Sequence, residues 1–197
     1  MTERTRQEQR SDETRAALMD AARELFTDPG YYNVGTEEIV KKARVTRGAL
    51  YHHFEDKKDL FRAVHEANEE KLVMALAAKV EGITDPIELL TQGVKSFLDA
   101  CEDPALSRIG LIDAPGVLGW PEWRAIDEKY GLGLVTGVLQ VAMDAGLIAP
   151  LPVSTIGHLM LAAMGEAAIM MAQSEDPVAA RAEVEESLLA LLHGLKP

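Results

Sequence analysis

The feature that most constrains this chain is a pair of short helical stretches with almost nothing between them. Residues Thr36 to Ala43 and Thr46 to Phe54 each read as a helix of about eight residues, broken only by Arg44-Val45. Helices that short are marginal alone. Two in succession make physical sense when both dock on a third helix and one is held out towards a partner. A first helix from about Ser11 to Thr27, with the stripe Leu18, Ala21, Ala22, Leu25 and Phe26, supplies that support, and Asp28-Pro29-Gly30 stops it. Thr36 is placed to cap the second helix, with Glu38 in its first turn, and Thr46 to cap the third.

The rest of the chain continues in the helical period. Ala and Leu dominate, and no strand alternation is visible. Asp56 caps a long fourth helix to about Val80, and Asp85-Pro86 opens a fifth that runs to Cys101. Residues 113–122 hold two Pro and two Gly and predict a loop or a broken helix. Helices then follow over Glu122 to Ala145, Ser154 to Gln173 and Pro177 to Leu195. The expected fold is all-α with about nine helices. Residues 1–10 read as a flexible arm, 11–56 as a helix-turn-helix unit and 57–197 as a larger helical body.

Charge separates these parts. The net charge is −12, yet residues 1–60 hold 11 Lys/Arg against 12 Asp/Glu, so the body carries nearly all the excess. Residues 39–54 contain four cations (Lys41, Lys42, Arg44, Arg47) and no acid. A local basic stripe on an acidic body is compatible with nucleic acid, because the contact patch sets the interaction; a chance cluster on a solvated helix fits the charge equally well. The apolar stretches read as far below the ~18 residues of a membrane span. The polar residues 1–15 lack the apolar core of a secretory signal, and the single Cys101 fits a reducing cytosol.

In a helix-turn-helix the second short helix enters the major groove. Here it would turn Leu50 inward and leave Thr46, Arg47, Tyr51 and His52 outward, while the small Gly48 lets the backbone approach. Arg47 can donate two hydrogen bonds to a guanine edge. Tyr51 suits a phosphate. Thr36 and Lys57 stand at helix starts, where amides favour an anion. Lys42 and Arg44 add charge beside them.

The stretch Gly30-Tyr31, Thr36-x-x-Ile39, Ala43-x-Val45-Thr46-x-Gly48-x-Leu50-Tyr51-x-x-Phe54-x-x-Lys57-x-x-Leu60 resembles the DNA-binding domain of the TetR family of transcriptional regulators. The resemblance implies an all-helical homodimer joined through its last two helices, acting on operator DNA and released from it by a small ligand. It places the family's phosphate-contacting helix-two threonine at Thr36, its tyrosine after the recognition helix at Tyr51 and its helix-four lysine at Lys57. Arg44 stands where the family commonly has Gly, which predicts a left-handed residue at a cost of about 1–2 kcal/mol. An activator, or a ligand-binding or enzymatic relative without DNA function, stays open.

On that reading Met160, Ala180, Val184, Leu188, Leu191 and Leu195 are candidates for the dimer interface. Phe97, Leu111, Trp120, Trp123, Tyr130, Leu134 and Met164 are candidate walls of a pocket for a mostly apolar ligand. Arg108, Asp113, His158 and Glu166 are its candidate polar anchors. No catalytic motif is present, and neither a cofactor nor a metal is implied. His65 and Glu69, four residues apart, read as a solvated face rather than a metal pair. Cys101, beside Glu102 and Asp103, is a poor nucleophile. Gly131-x-Gly133-x-x-x-Gly137 lacks the strand a dinucleotide loop requires.

Overall fold

The computed structural model describes residues 6–197 and contains no strand among them. Helix α1 (Arg6–Leu25) is followed by α2 (Thr36–Ala43), α3 (Arg47–His53) and α4 (Lys57–Lys79). The body adds α5 (Pro86–Ala100), α6 (Ala114–Leu118), α7 (Trp120–Asp127), α8 (Gly133–Asp144), α9 (Val153–Gln173) and α10 (Pro177–His193). A π-helical segment, Leu106–Asp113, runs directly into α6, and another, Glu128–Leu132, joins α7 to α8. The ten α-helical segments therefore form nine continuous runs. The stretch expected to be a loop or a broken helix is a broken helix, interrupted at Gly119, where φ is +88°.

Three sequence expectations change. Helix α1 starts at Arg6, so the part of the expected arm from Arg6 onward is helical; residues 1–5 lie outside the described residues. The cap of α2 is Gly35 rather than Thr36, because the Glu38 carboxylate accepts from the Gly35 amide at 2.8 Å, which makes Thr36 the first helical residue. Helix α9 is, by length and composition, apolar enough to cross a membrane, contrary to the sequence reading. Here its face of Gly157, Met160, Met164, Ala167, Ala168 and Met171 is buried, and the helix packs against α5, α8 and α10.

One apolar cluster joins the N-terminal helices to the body. Leu18, Ala22, Phe26, Ile39, Leu50, Phe54, Leu60 and Phe61 meet Ala105, Ile109, Ala114, Leu118 and Ile126. A fully buried Leu or Phe contributes about 1.5–3 kcal/mol. A second cluster packs Val94 and Leu98 of α5 against Met164, Ala167 and Met171 of α9 and Val184 and Leu188 of α10. Gly157 permits the closest approach in this region, since a Cβ there would come within 2.6 Å of the Thr136 methyl. Leu139, Ala142 and Ile148 form a third cluster, on which Leu195 rests.

Candidate nucleic-acid interface and effector cavity

The turn between α2 and α3 is held by backbone hydrogen bonds. The Val45 amide donates to the Val40 carbonyl at 3.0 Å and the Arg44 amide to Lys41 at 3.2 Å. This closure requires a left-handed residue after the helix. Arg44 adopts it, with φ +57°. Thr46 Oγ1 then accepts from the Ala49 amide at 3.2 Å and fixes the start of α3. Leu50 is fully buried and anchors the helix.

The opposite face of α3 is open. Tyr51 is 45% exposed, and the Arg47 guanidinium lies 5.6 Å from its ring centroid. The Thr36 hydroxyl and Arg47 both favour the ionised phenol and hold Tyr51 below the usual tyrosine range. Thr36, Arg47 and Tyr51 therefore converge on one surface. Arg47 also lies 3.7 Å from Glu37, and Lys42 pairs with Glu24 at 2.5 Å. A Cβ on Gly48 would meet nothing but the Thr46 hydroxyl at 3.9 Å, so the backbone there is accessible. His52 is exposed on the same helix, edge-on to His53.

The Lys57 side chain lies against the turn before α2. Its ammonium donates to the carbonyls of Tyr31 and Val34, both at 2.9 Å, and sits 4.0 Å from the Tyr31 ring centroid. Burial pushes its pKa down. The charge serves the turn before α2.

The body encloses a cavity of about 330 Å³ between α4, the π segment, α7 and α9. This lies within the range of small-molecule sites. Phe97, Leu111, Trp120, Trp123, Met164 and Glu166, all proposed from sequence, line it. Tyr130 and Leu134 do not. Tyr130 packs on the first core, and Leu134 is exposed. His158 lies outside the lining and contacts Arg124, which is in it, at 3.0 Å.

Arg108 and Asp113 also lie away from the cavity. Asp113 Oδ2 accepts from Arg108 Nε and from the Tyr31 amide, both at 3.3 Å. The Arg108 guanidinium covers Gly30, whose φ is +104°. The two side chains thus tie the π segment to the turn before α2.

Sequence reasoning missed His65, Glu69, Cys101, Arg124 and Asp127 as cavity residues. His65 is 2% exposed, which corrects the solvated-face reading, and neither ring nitrogen has a hydrogen-bond partner among the described residues. Burial lowers its pKa to about 4, so the ring is neutral. Burial, with Asp127 nearby, raises Glu69 to about 7. The signal was present: Phe61, His65, Asn68 and Leu72 share one face of α4, so polar residues there continue an apolar stripe. Cys101 is buried and pushed up to about 12, in keeping with an inert thiol. No cluster of three metal-ligating side chains occurs among the described residues.

Of the proposed interface residues, Met160, Val184 and Leu188 are buried inside the subunit, Ala180 packs on the second core and Leu195 on the third. Only Leu191 is exposed, at 59%. The exposed large apolar side chains of these two helices are Leu159, Met170, Val178 and Leu191.

A helix-turn-helix with its polar face open, carried on a helical body, is the architecture of a DNA-binding regulator. Residues 18–64 match the family model for bacterial regulatory proteins of the tetR family, and residues 87–195 match that for the tetracyclin repressor-like C-terminal domain. The chain belongs to the TetR family and is a DNA-binding transcriptional regulator. It is 30% identical over 141 residues to the transposon Tn10 TetC protein of Escherichia coli, covering 71% of this chain and 70% of that protein. Identity to the transcriptional regulator AcrR of Shigella flexneri is 40% over 95 residues, 47% of this chain and 42% of the relative. A TetR-family transcriptional regulator from Pectobacterium atrosepticum superposes with a TM-score of 0.81 at 32% identity over 98% of both chains. Regulators of this family bind operator DNA and act as dimers.

Proposed function

We propose that this chain is a cytoplasmic, homodimeric repressor that leaves its operator when a small molecule fills the cavity. One observation carries this reading. The π segment Leu106–Asp113 faces two ways: Leu106, Gly110 and Leu111 line the cavity, while Arg108 and Asp113 hold Gly30 and Tyr31. The Tyr31 carbonyl in turn anchors Lys57 at the head of α4. A ligand that displaces the segment shifts the turn beneath the helix-turn-helix, and the shift is limited by the ligand's differential affinity for the two states.

The DNA contacts are assigned to Thr36, Lys42, Arg44, Thr46, Arg47, Gly48, Tyr51 and His52, with Arg47 reading bases and Tyr51 positioning the backbone. Lys57 acts through the turn it holds. The dimer face is assigned to Leu159 and Met170 of α9 with Leu191 of α10. Two copies then present α3 to successive major grooves of a near-palindromic site.

Selection of sites from random duplex DNA, followed by anisotropy titration at several salt concentrations, tests the reading. A palindromic winner bound by a dimer with a steep salt slope is expected. Arg47→Ala is expected to relax preference at particular bases by about 1–3 kcal/mol, and Tyr51→Ala to weaken all sequences alike. No enriched sequence, with or without a metabolite extract, would overturn the reading.

A further inference from the structure

Resting on the reading of the cavity as the effector site, its polar side chains specify a ligand chemistry. We propose that the cavity takes a protonated amine on an apolar body, with the ammonium held between the Glu69 carboxylate and a ring nitrogen of His65.

The Glu69 carboxylate lacks a cationic partner among the described residues. Glu69 makes no hydrogen bond among the described residues, and its closest polar contact is His65 Nδ1 at 3.7 Å. His65 cannot serve as the counter-ion, because burial keeps it neutral. Arg124, the one cation of the lining, is committed elsewhere: to Asp127 at 3.2 Å, Glu128 at 3.8 Å and His158 at 3.0 Å. Lys129 is held by Glu66 at 3.1 Å. Glu166 adds a further carboxylate to the lining.

His65 is the independent sign of a ligand. A buried ring with both nitrogens unpartnered loses the hydrogen bonds it made in water. A neutral imidazole keeps one acceptor nitrogen, which an ammonium satisfies and a bare hydrocarbon does not. The aromatic walls suit the same group. Trp120 and Trp123 lie 4.9 Å apart; the Arg124 guanidinium stands 5.9 Å from the Trp120 centroid, so the ring of Trp123 is the one left to attract a ligand cation. An amine therefore meets a carboxylate, an acceptor and a π face in one place, while its apolar part replaces water against Phe97 and Met164.

Trp120 and Trp123 are the only tryptophans of the chain and both line the cavity, so tryptophan fluorescence reports on it directly. The experiment titrates the full chain, without DNA, with phenylbutylamine and with its neutral analogue phenylbutanol. At about pH 8 the amine is expected to bind at least about tenfold more tightly than the alcohol. Lowering the pH to about 6 protonates Glu69 and is expected to reduce amine affinity about tenfold while leaving the alcohol unchanged. Over that range His65 stays neutral and Cys101 stays protonated.

Glu69→Gln is expected to abolish both the preference and its pH dependence, with phenylbutanol binding retained as proof of an intact cavity. His65→Gln is expected to weaken the amine alone. Equal affinity for amine and alcohol, a preference that survives Glu69→Gln, or no saturable response to the amine would each overturn the proposal. Because DNA is absent from the titration, its result is separate from that of the operator selection.

Discussion

The three-helix unit and the helical body treat their polar groups in opposite ways. At the N-terminal end, polar groups find partners within a few residues. Glu38 accepts from Gly35, Thr46 from Ala49 and Asp56 from Asp59. The remaining functional side chains of α3 face solvent. In the body, the His65 ring nitrogens and Asn68 Nδ2 are buried without partners, and Glu69 faces a cavity. An unsatisfied buried polar group costs about 1–3 kcal/mol. One end is built to present donors outward on a rigid support. The other keeps polar side chains inside, beside a cavity.

Within the body the contrast between core and surface gives the largest expected effect. Leu188 is buried among α5, α9 and α10, whereas Leu191, three residues on, is exposed. Leu188→Glu places an unpaired charge in the second core and is expected to cost about 3–5 kcal/mol, a large share of the roughly 5–15 kcal/mol that holds a typical domain folded. Chemical denaturation would read this as unfolding of the subunit itself. Leu191→Glu is expected to convert dimer to monomer by light scattering while leaving the subunit's own unfolding free energy nearly unchanged, so the midpoint loses only its dependence on protein concentration. A Leu191→Glu protein that remains dimeric would move the interface to another face.

The link between the two regions should fail at Gly30. Its φ of +104° disfavours any side chain, and a Cβ would meet the Arg108 guanidinium at 2.6 Å. Gly30→Ala is expected to cost about 2–3 kcal/mol. Gly82, with φ +82° and nothing near it, gives a comparison free of side-chain clash, and Gly82→Ala is expected to cost about 1–2 kcal/mol. A Gly30→Ala protein no less stable than Gly82→Ala would show that the Arg108 contact contributes nothing.

The body's buried pair should also show in the pH dependence of stability. His65, lowered to about 4, is neutral when folded, so the unfolded chain binds more protons between about pH 4 and 6.5 and stability rises with pH there. Glu69, raised to about 7, does the reverse: the folded chain binds more protons between about pH 4.5 and 7, and stability falls as pH rises. In the native protein the two slopes oppose. Glu69→Gln is expected to expose the rising slope and His65→Gln the falling one, each on the order of 1–3 kcal/mol across its window. Melting curves across pH would read them, and parallel profiles in all three proteins would remove both groups from the balance.

Legibility in the sequence follows the same divide. The caps at Thr46 and Asp56 and the helix start at Pro86 were readable because each signal lies within four residues of what it controls. Arg44 was readable because a tight break admits few backbone conformations. The cavity was half readable. Aromatic residues near the Pro/Gly break pointed to Trp120 and Trp123, but nothing local joins His65 and Glu69 to Arg124 and Asp127, which α4 and α7 bring together. Arg108 and Asp113 look like ligand anchors in sequence because charged residues in an apolar helix invite that reading. Which side of the π segment they occupy depends on packing. The stripe on α10 likewise cannot distinguish the subunit's own core from a partner's, since both are apolar.

Lys57 offers the finest test, because it belongs to the N-terminal unit yet behaves like the body's buried groups. Its ammonium is tied to two carbonyls and a ring face, and burial lowers its pKa. Lys57→Met keeps the stem and removes the donor, leaving the Tyr31 and Val34 carbonyls short of a partner. The expected cost is about 1–2 kcal/mol in unfolding free energy. If the ammonium stays on those carbonyls in the DNA complex, the slope of log affinity against log salt is unchanged by the substitution. If it swings out to a phosphate, the slope falls by about one. Operator titrations of Lys57→Met and Tyr51→Ala in parallel decide between the two, because Tyr51 has no carbonyl to hold and its loss acts on DNA alone.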